Sequence, residues 1–160
     1  MTNIKICGIT NLRDAINCAK LNVDYIGFNF YHKSPRRVDK KRARRIINSL
    51  KNRNLKFVGV FVNENIEKII NITRFCRLDL IQLHGDENPV YVLKLKKNLN
   101  NKIKVIKVIR VKNKNSFNNI EKYSCDYLLF DTYRNNVYGG TSKAFNKDII
   151  NNLRINIPFF

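Results

Sequence analysis

The sequence predicts an α/β protein of the (β/α)8-barrel type, truncated to about six βα units in a single incomplete barrel domain over residues 1–160. Two observations predict it. Short apolar runs alternate with longer amphipathic ones along the chain, the pattern of parallel strands joined by crossover helices. Polar residues fall where the strand-like runs stop, and no G-x-G-x-x-G follows the first of them. A doubly wound dinucleotide-binding sheet needs that glycine fingerprint, whereas a barrel gathers its chemistry at the carboxyl ends of its strands.

The first strand is expected over Asn3 to Cys7, with Ile4 and Ile6 on one side and Lys5 and Cys7 on the other; Gly8 then permits a sharp exit. Asn11 caps a helix over Leu12 to Leu21. Strand two, Tyr25 to Phe30, is trailed by His32, Ser34 and Arg36. Asp39 starts a helix over Lys40 to Leu50, strand three runs from Phe57 to Val62 ahead of Asn63, and Asn65 caps a helix over Ile66 to Cys76. In strand four, Leu78 to Leu83, Gln82 and His84 alternate with Ile81 and Leu83, so both should face the barrel interior. The next helix begins at Asn88 with Pro89 in its first position, where a missing N–H costs nothing. Strand five covers Ile103 to Ile109, a fifth helix is expected after Asn115 or Ser116, and strand six, Tyr127 to Asp131, ends in a carboxylate.

Composition narrows the class. The net charge of +19 points first to nucleic acid or a membrane surface. The lysines and arginines are nevertheless scattered from Lys5 to Arg154, and the densest run, Lys40 to Arg45, fits the polar face of one helix, so a nucleic-acid partner is not favoured. No apolar run reaches 18 residues and the start lacks the apolar core of a secretory signal, which predicts a cytoplasmic protein without a membrane partner. Cys7, Cys18, Cys76 and Cys125 form no C-x-x-C pair and have only two histidines to join them, arguing against both a disulfide framework and a metal site.

Six segments, in this order, carry a resemblance: "KICGIT" at 5–10, "DYIGFNFYHKSPR" at 24–36, "VGVFVN" at 58–63, "IQLHGDE" at 81–87, "LLFDT" at 128–132 and "YGGTSKAF" at 138–145. Together they resemble phosphoribosylanthranilate isomerase. The resemblance implies a (β/α)8 barrel in tryptophan biosynthesis that needs no cofactor, takes a small phosphorylated substrate, and converts N-(5-phosphoribosyl)anthranilate to its 1-deoxyribulose form by an Amadori rearrangement. It also implies roles: Cys7 as general base and Asp131 as general acid, with Arg36 against the anthranilate ring and carboxylate and His84 in contact with substrate.

Taken alone, each of these residues has a plainer reading. A strand-end cysteine is most often a small buried apolar residue, an aspartate before a threonine a turn cap, Arg36 one more solvated charge, and His84 a satisfied filler of the interior. If Cys7 is the base, its thiolate needs nearby positive charge such as Lys5 or Arg36; if Asp131 is the acid, burial is expected to raise its pKa and keep it protonated.

Two departures from the family pattern are visible. Ser142 and Ala144 stand where the family has glycine and threonine. The ending, "INIPFF" at 155–160, corresponds to the start of strand seven, beyond which the family has two more βα units, roughly 50 residues if a barrel of about 250 is divided evenly. Those units carry the family's phosphate-binding turns. Three accounts of the ending are weighed: an eroding gene and an inactive remnant, a barrel completed by self-association or by a complementing chain, and a fragment of a longer product.

Overall fold

The computed structural model describes residues 3–50, 54–99, 102–135, 138 and 155–160. Six strands form one parallel sheet: β1 (Lys5–Cys7), β2 (Tyr25–Asn29), β3 (Lys56–Phe61), β4 (Leu80–Leu83), β5 (Lys104–Val111) and β6 (Tyr127–Thr132). Their spatial order equals their order in the chain. A doubly wound sheet reverses direction at a switch point; this one never does, and that is the order of a barrel arc.

Four helices make the crossovers between β1 and β5: α1 (Leu12–Lys20), α2 (Lys40–Leu50), α3 (Ile66–Cys76) and α4 (Pro89–Lys97). Their starts follow local chemistry. Asn11, Asn65 and Asn88 each accept a first-turn backbone N–H through the side chain, and Pro89 opens α4 where its absent N–H leaves nothing unpaired. Asp39 does the same for α2, accepting the Arg42 N–H at 2.9 Å. Lys40, Lys41, Arg42 and Arg45 of α2 are exposed and Arg44 is half-buried, while Ala43, Ile46, Ile47 and Leu50 are buried.

The expected fifth helix is not there. Two short 3-10 turns, Lys114–Phe117 and Ile120–Lys122, join β5 to β6 instead. Asn119 lies between them at φ 65°, and the Asn113 and Ser116 side chains bond the backbone of the first turn, so asparagine-rich sequence favours turn geometry over a continued helix.

The strand faces divide the apolar residues into two layers. Outward residues such as Ile26, Phe28, Phe57, Phe61, Ile81, Leu83 and Val105 join the buried faces of the helices in one large cluster. Inward residues Tyr25, Val58, Leu80 and Ile106 form a second, packed with Tyr127, Leu129 and Phe160. Residues 158–160 lie beside β6, where Phe159 pairs in parallel with Leu128 and the Phe160 N–H bonds the Leu128 carbonyl at 2.9 Å. This is where the sequence reading puts the start of strand seven. The edge of β1 is open among the described residues, with Ile4 50% and Ile6 40% exposed.

Candidate functional site

The carboxyl ends of the strands surround a cavity of about 700 Å3 lined by Cys7 from β1, Asn29 and Arg36 from β2 and its loop, Val60 from β3, Gln82 and His84 from β4, and Leu129 and Asp131 from β6. Alternation explains the membership, since every second residue of a strand faces the same way. All four residues singled out by sequence, Cys7, Arg36, His84 and Asp131, therefore meet at one mouth. His32 does not join them; it lines a separate groove between α2 and α3.

Cys7 is held by close backbone packing. It pairs in register with Gly27, where an added Cβ would come within 2.8 Å of the Cys7 sulfur. Gly8 turns the chain at φ 87° while its amide N–H bonds the Gly27 carbonyl at 2.9 Å. Arg36 crosses directly over that turn: a Cβ on Gly8 would lie 2.8 Å from Arg36 Cδ, and Arg36 Nη1 donates to the Cys7 carbonyl at 3.1 Å. Two residues make this placement possible. Ser34 Oγ accepts from Asn29 Nδ2 at 3.0 Å and from the Arg36 backbone N–H at 3.2 Å, folding the β2 loop back over the mouth.

The same mouth holds a row of three polar side chains. Gln82 Nε2 is 2.9 Å from His84 Nδ1, and His84 Nε2 is 3.0 Å from Asp131 Oδ2. An amide nitrogen only donates, so Nδ1 accepts, the ring proton sits on Nε2, and that N–H donates to the Asp131 carboxylate. The protonation expected of Asp131 is thereby corrected. Burial does push its pKa up, but the hydrogen bond from His84, the Thr132 N–H at 2.8 Å and the Arg110 guanidinium outweigh it and hold the carboxyl below its ordinary value.

A second polar cluster braces the rim, of which the sequence reading had placed only Asn63 at a strand end. Asp86 takes hydrogen bonds from Arg110, from Asn63 Nδ2 at 3.3 Å and from the Tyr138 hydroxyl at 2.5 Å. Arg110 also lies over the Tyr138 ring, 4.3 Å from its centroid, and Tyr138 meets Tyr31 edge-on at 5.9 Å. Tyr138 thus ties the loop after β6 to the loops after β2, β3 and β4. Beneath it, Lys107 Nζ donates to Glu87 Oε2 and to the Gly85 carbonyl, each at 2.8 Å, while Glu87 Oε1 accepts the Asn63 N–H at 2.8 Å. The only advance signal for this cluster was acid, amide and base side chains just past three consecutive strands. The glycine-rich segment at 139–145, with Ser142 and Ala144, lies outside the described residues.

Among the described residues no group of three or more His, Cys, Asp or Glu side chains could hold a metal ion. No helix among them is long and apolar enough to cross a membrane.

Residues 4–159 match the family model of N-(5'-phosphoribosyl)anthranilate isomerase. The chain is 41% identical over 149 residues to the N-(5'-phosphoribosyl)anthranilate isomerase of Trichlorobacter lovleyi, covering 93% of this chain and 69% of that one. It superposes on the phosphoribosyl anthranilate isomerase of Thermus thermophilus with a TM-score of 0.79 at 27% identity, covering 94% and 70% of the two chains. A phosphoribosyl anthranilate isomerase in complex with reduced 1-(o-carboxyphenylamino)-1-deoxyribulose 5-phosphate matches with a TM-score of 0.72 at 38% identity, covering 83% of this chain and 66% of that one. The chain thus spans about two thirds of the length of the relatives it matches.

Proposed function

The chain belongs to the N-(5'-phosphoribosyl)anthranilate isomerase family, and from that premise we propose that its mouth carries out the family's ring-opening isomerisation in tryptophan biosynthesis. The observation that carries the reading is the placement of Cys7 and Asp131 at the ends of β1 and β6, the first and last strands of the sheet, where both line one cavity. An Amadori rearrangement needs two groups so disposed. A proton delivered from the Asp131 side to the ring oxygen lets the C1'–O bond break to an iminium ion, and Cys7 removes the proton at C2' to give the enol-amine, which tautomerises to the ketose. Substrate and product are isomers, and the proton given to the ring oxygen is balanced by the one taken from C2', so the reaction consumes no external oxidant or reductant.

Arg36 lies above Cys7 with a planar cation suited to both the ring and the carboxylate of the anthranilate moiety. His84 holds Oδ2 of Asp131 and faces substrate from β4. We place the reaction in the cytoplasm, as the composition suggests.

A second element of the proposal concerns the barrel itself. The strand order, the inward apolar layer and the pairing of residues 158–160 with β6 support a (β/α)8 closure to which this chain contributes six βα units. The exposed Ile4 and Ile6 at the β1 edge, with Phe159 52% exposed on the far side, mark surfaces that the remaining strands of such a closure would cover, whether they belong to a longer product, a second copy or a complementing polypeptide.

The test is turnover by the purified 160-residue chain, followed as loss of phosphoribosylanthranilate fluorescence, with Cys7→Ala and Asp131→Ala beside it. The expected outcome is turnover that drops by two orders of magnitude or more, roughly the share a general acid or base supplies, in each variant. Equal rates in all three proteins would overturn the assignment of the pair.

A further inference from the structure

The row Gln82, His84, Asp131 has a property that the isomerase reading does not use. Gln82 is 2% exposed, and its Oε1 is buried without a hydrogen-bond partner although its Nε2 bonds His84 Nδ1. Leaving an amide oxygen unpaired inside a protein is costly, so its presence requires a reason.

One is supplied by proton counting. At rest, Asp131 is a carboxylate and His84 a neutral ring carrying its proton on Nε2. When one proton is added from water, it resides either on the ring, giving an imidazolium beside a carboxylate, or on Asp131, which then donates to Nε2 of a ring whose own proton has moved to Nδ1. In both loaded forms Nδ1 is an N–H and needs an acceptor. A half-turn of the Gln82 amide presents Oε1, the atom now without a partner. A primary amide offers a donor and an acceptor interchangeably at one place.

We infer that the acid that opens the sugar ring is the hydrogen-bonded His84–Asp131 pair acting as one proton store, and that Gln82 is the positioning residue whose amide accommodates both its empty and its loaded states. This rests on the isomerase reading for its use, but not for its existence. The loaded pair takes one proton from solvent and gives it to the ring oxygen as the C1'–O bond breaks, which returns the pair to the arrangement seen here. The lowered pKa of Asp131 accords with it, because the resting carboxylate gains its proton only together with the histidine. The charged and titratable groups facing the pair are Lys5 and Cys7 of β1, Arg36 and Lys33 of the β2 loop, Arg110 of β5 and Tyr138 of the β6 loop.

The decisive experiment titrates the His84 ring nitrogens by 15N NMR, in a His32→Gln background that leaves one imidazole in the chain. In the parent the ring at high pH should show the Nε2–H tautomer. Gln82→Met offers the ring neither donor nor acceptor, so the loaded form loses its partner and the apparent pKa falls. Gln82→Glu offers only an acceptor, so the loaded form gains and the apparent pKa rises. Shifts of opposite sign, each of about one unit or more, are expected. Shifts of the same sign, or none, would overturn the inference, and so would Gln82→Met leaving the ring at the parent value, because the carboxylate of Gln82→Glu raises the pKa by its charge alone. Turnover is read separately on the same proteins: opposite shifts without turnover sink the isomerase reading and leave the proton store standing, while turnover with an unshifted ring does the reverse.

Discussion

Gly8 shows how tightly single atoms constrain the mouth. Its φ of 87° suits a residue without a side chain, and Arg36 occupies the space a Cβ would take. Gly8→Ala should therefore destabilise the fold by about 1–2 kcal/mol from the left-handed backbone alone, read by urea denaturation, and should also displace Arg36 and raise KM. Asp131 gives a second prediction at this scale. Its folded pKa is depressed, so its contribution to stability is complete above the unfolded value near pH 4 and disappears as pH falls through the folded value. Asp131→Asn should be less stable than the parent at neutral pH, with the gap closing on acidification; a gap independent of pH would show that the pairing with His84 is not electrostatic. The positions of Cys7 and Asp131 were legible because strand ends can be read from a period of two. The protonation of Asp131 was not, since it depends on a histidine 47 positions earlier in the chain. Only the completed sheet brings the two within 3.0 Å.

Among the elements, β4 and β5 are joined below the rim by an ion pair almost sealed from water, with side chains 3% exposed at Lys107 and 1% at Glu87. Burial pulls the pKa of Lys107 down while the Glu87 carboxylate pulls it back up, and the first effect prevails. A pair of this kind stabilises little against an apolar substitute, but removing one member strands the other charge. Lys107→Met should cost about 3–5 kcal/mol in denaturation experiments, and Lys107→Met combined with Glu87→Met should recover much of that loss. The helix starts at Asn11, Asn65 and Asn88 were readable from local sequence because a cap is a contact within three residues. The segment after Asn115 misled for the same reason in reverse. Its spacing suits a helix, but its asparagines and serine satisfy the backbone in tight turns, and Phe117 and Ile120 find their cover against Ile109, Val111 and Leu128.

For the whole molecule, charge is the dominant feature. With +19 on 160 residues, self-repulsion opposes the compact state and screening relieves it. Raising ionic strength from about 10 mM to about 150 mM should therefore raise the thermal midpoint of this chain, and a fall would show that specific ion pairs outweigh the net repulsion.

The consecutive order of the strands has a consequence for how the molecule comes into being. Among the described residues, each of the six strands pairs with its neighbours in the order of synthesis. As the chain leaves the ribosome, every new strand meets a docking edge that is already complete, so assembly can advance in the direction of translation without waiting for a distant segment. The same arrangement makes the growing tip adhesive at every stage, because the most recent edge stays unsatisfied until the next strand emerges. Synthesis rate thus becomes a folding variable. Slow translation between β5 and β6 would prolong exposure of the β5 edge, with its apolar Val105, Ile106, Val108 and Ile109, at the moment when neighbouring nascent chains are nearest.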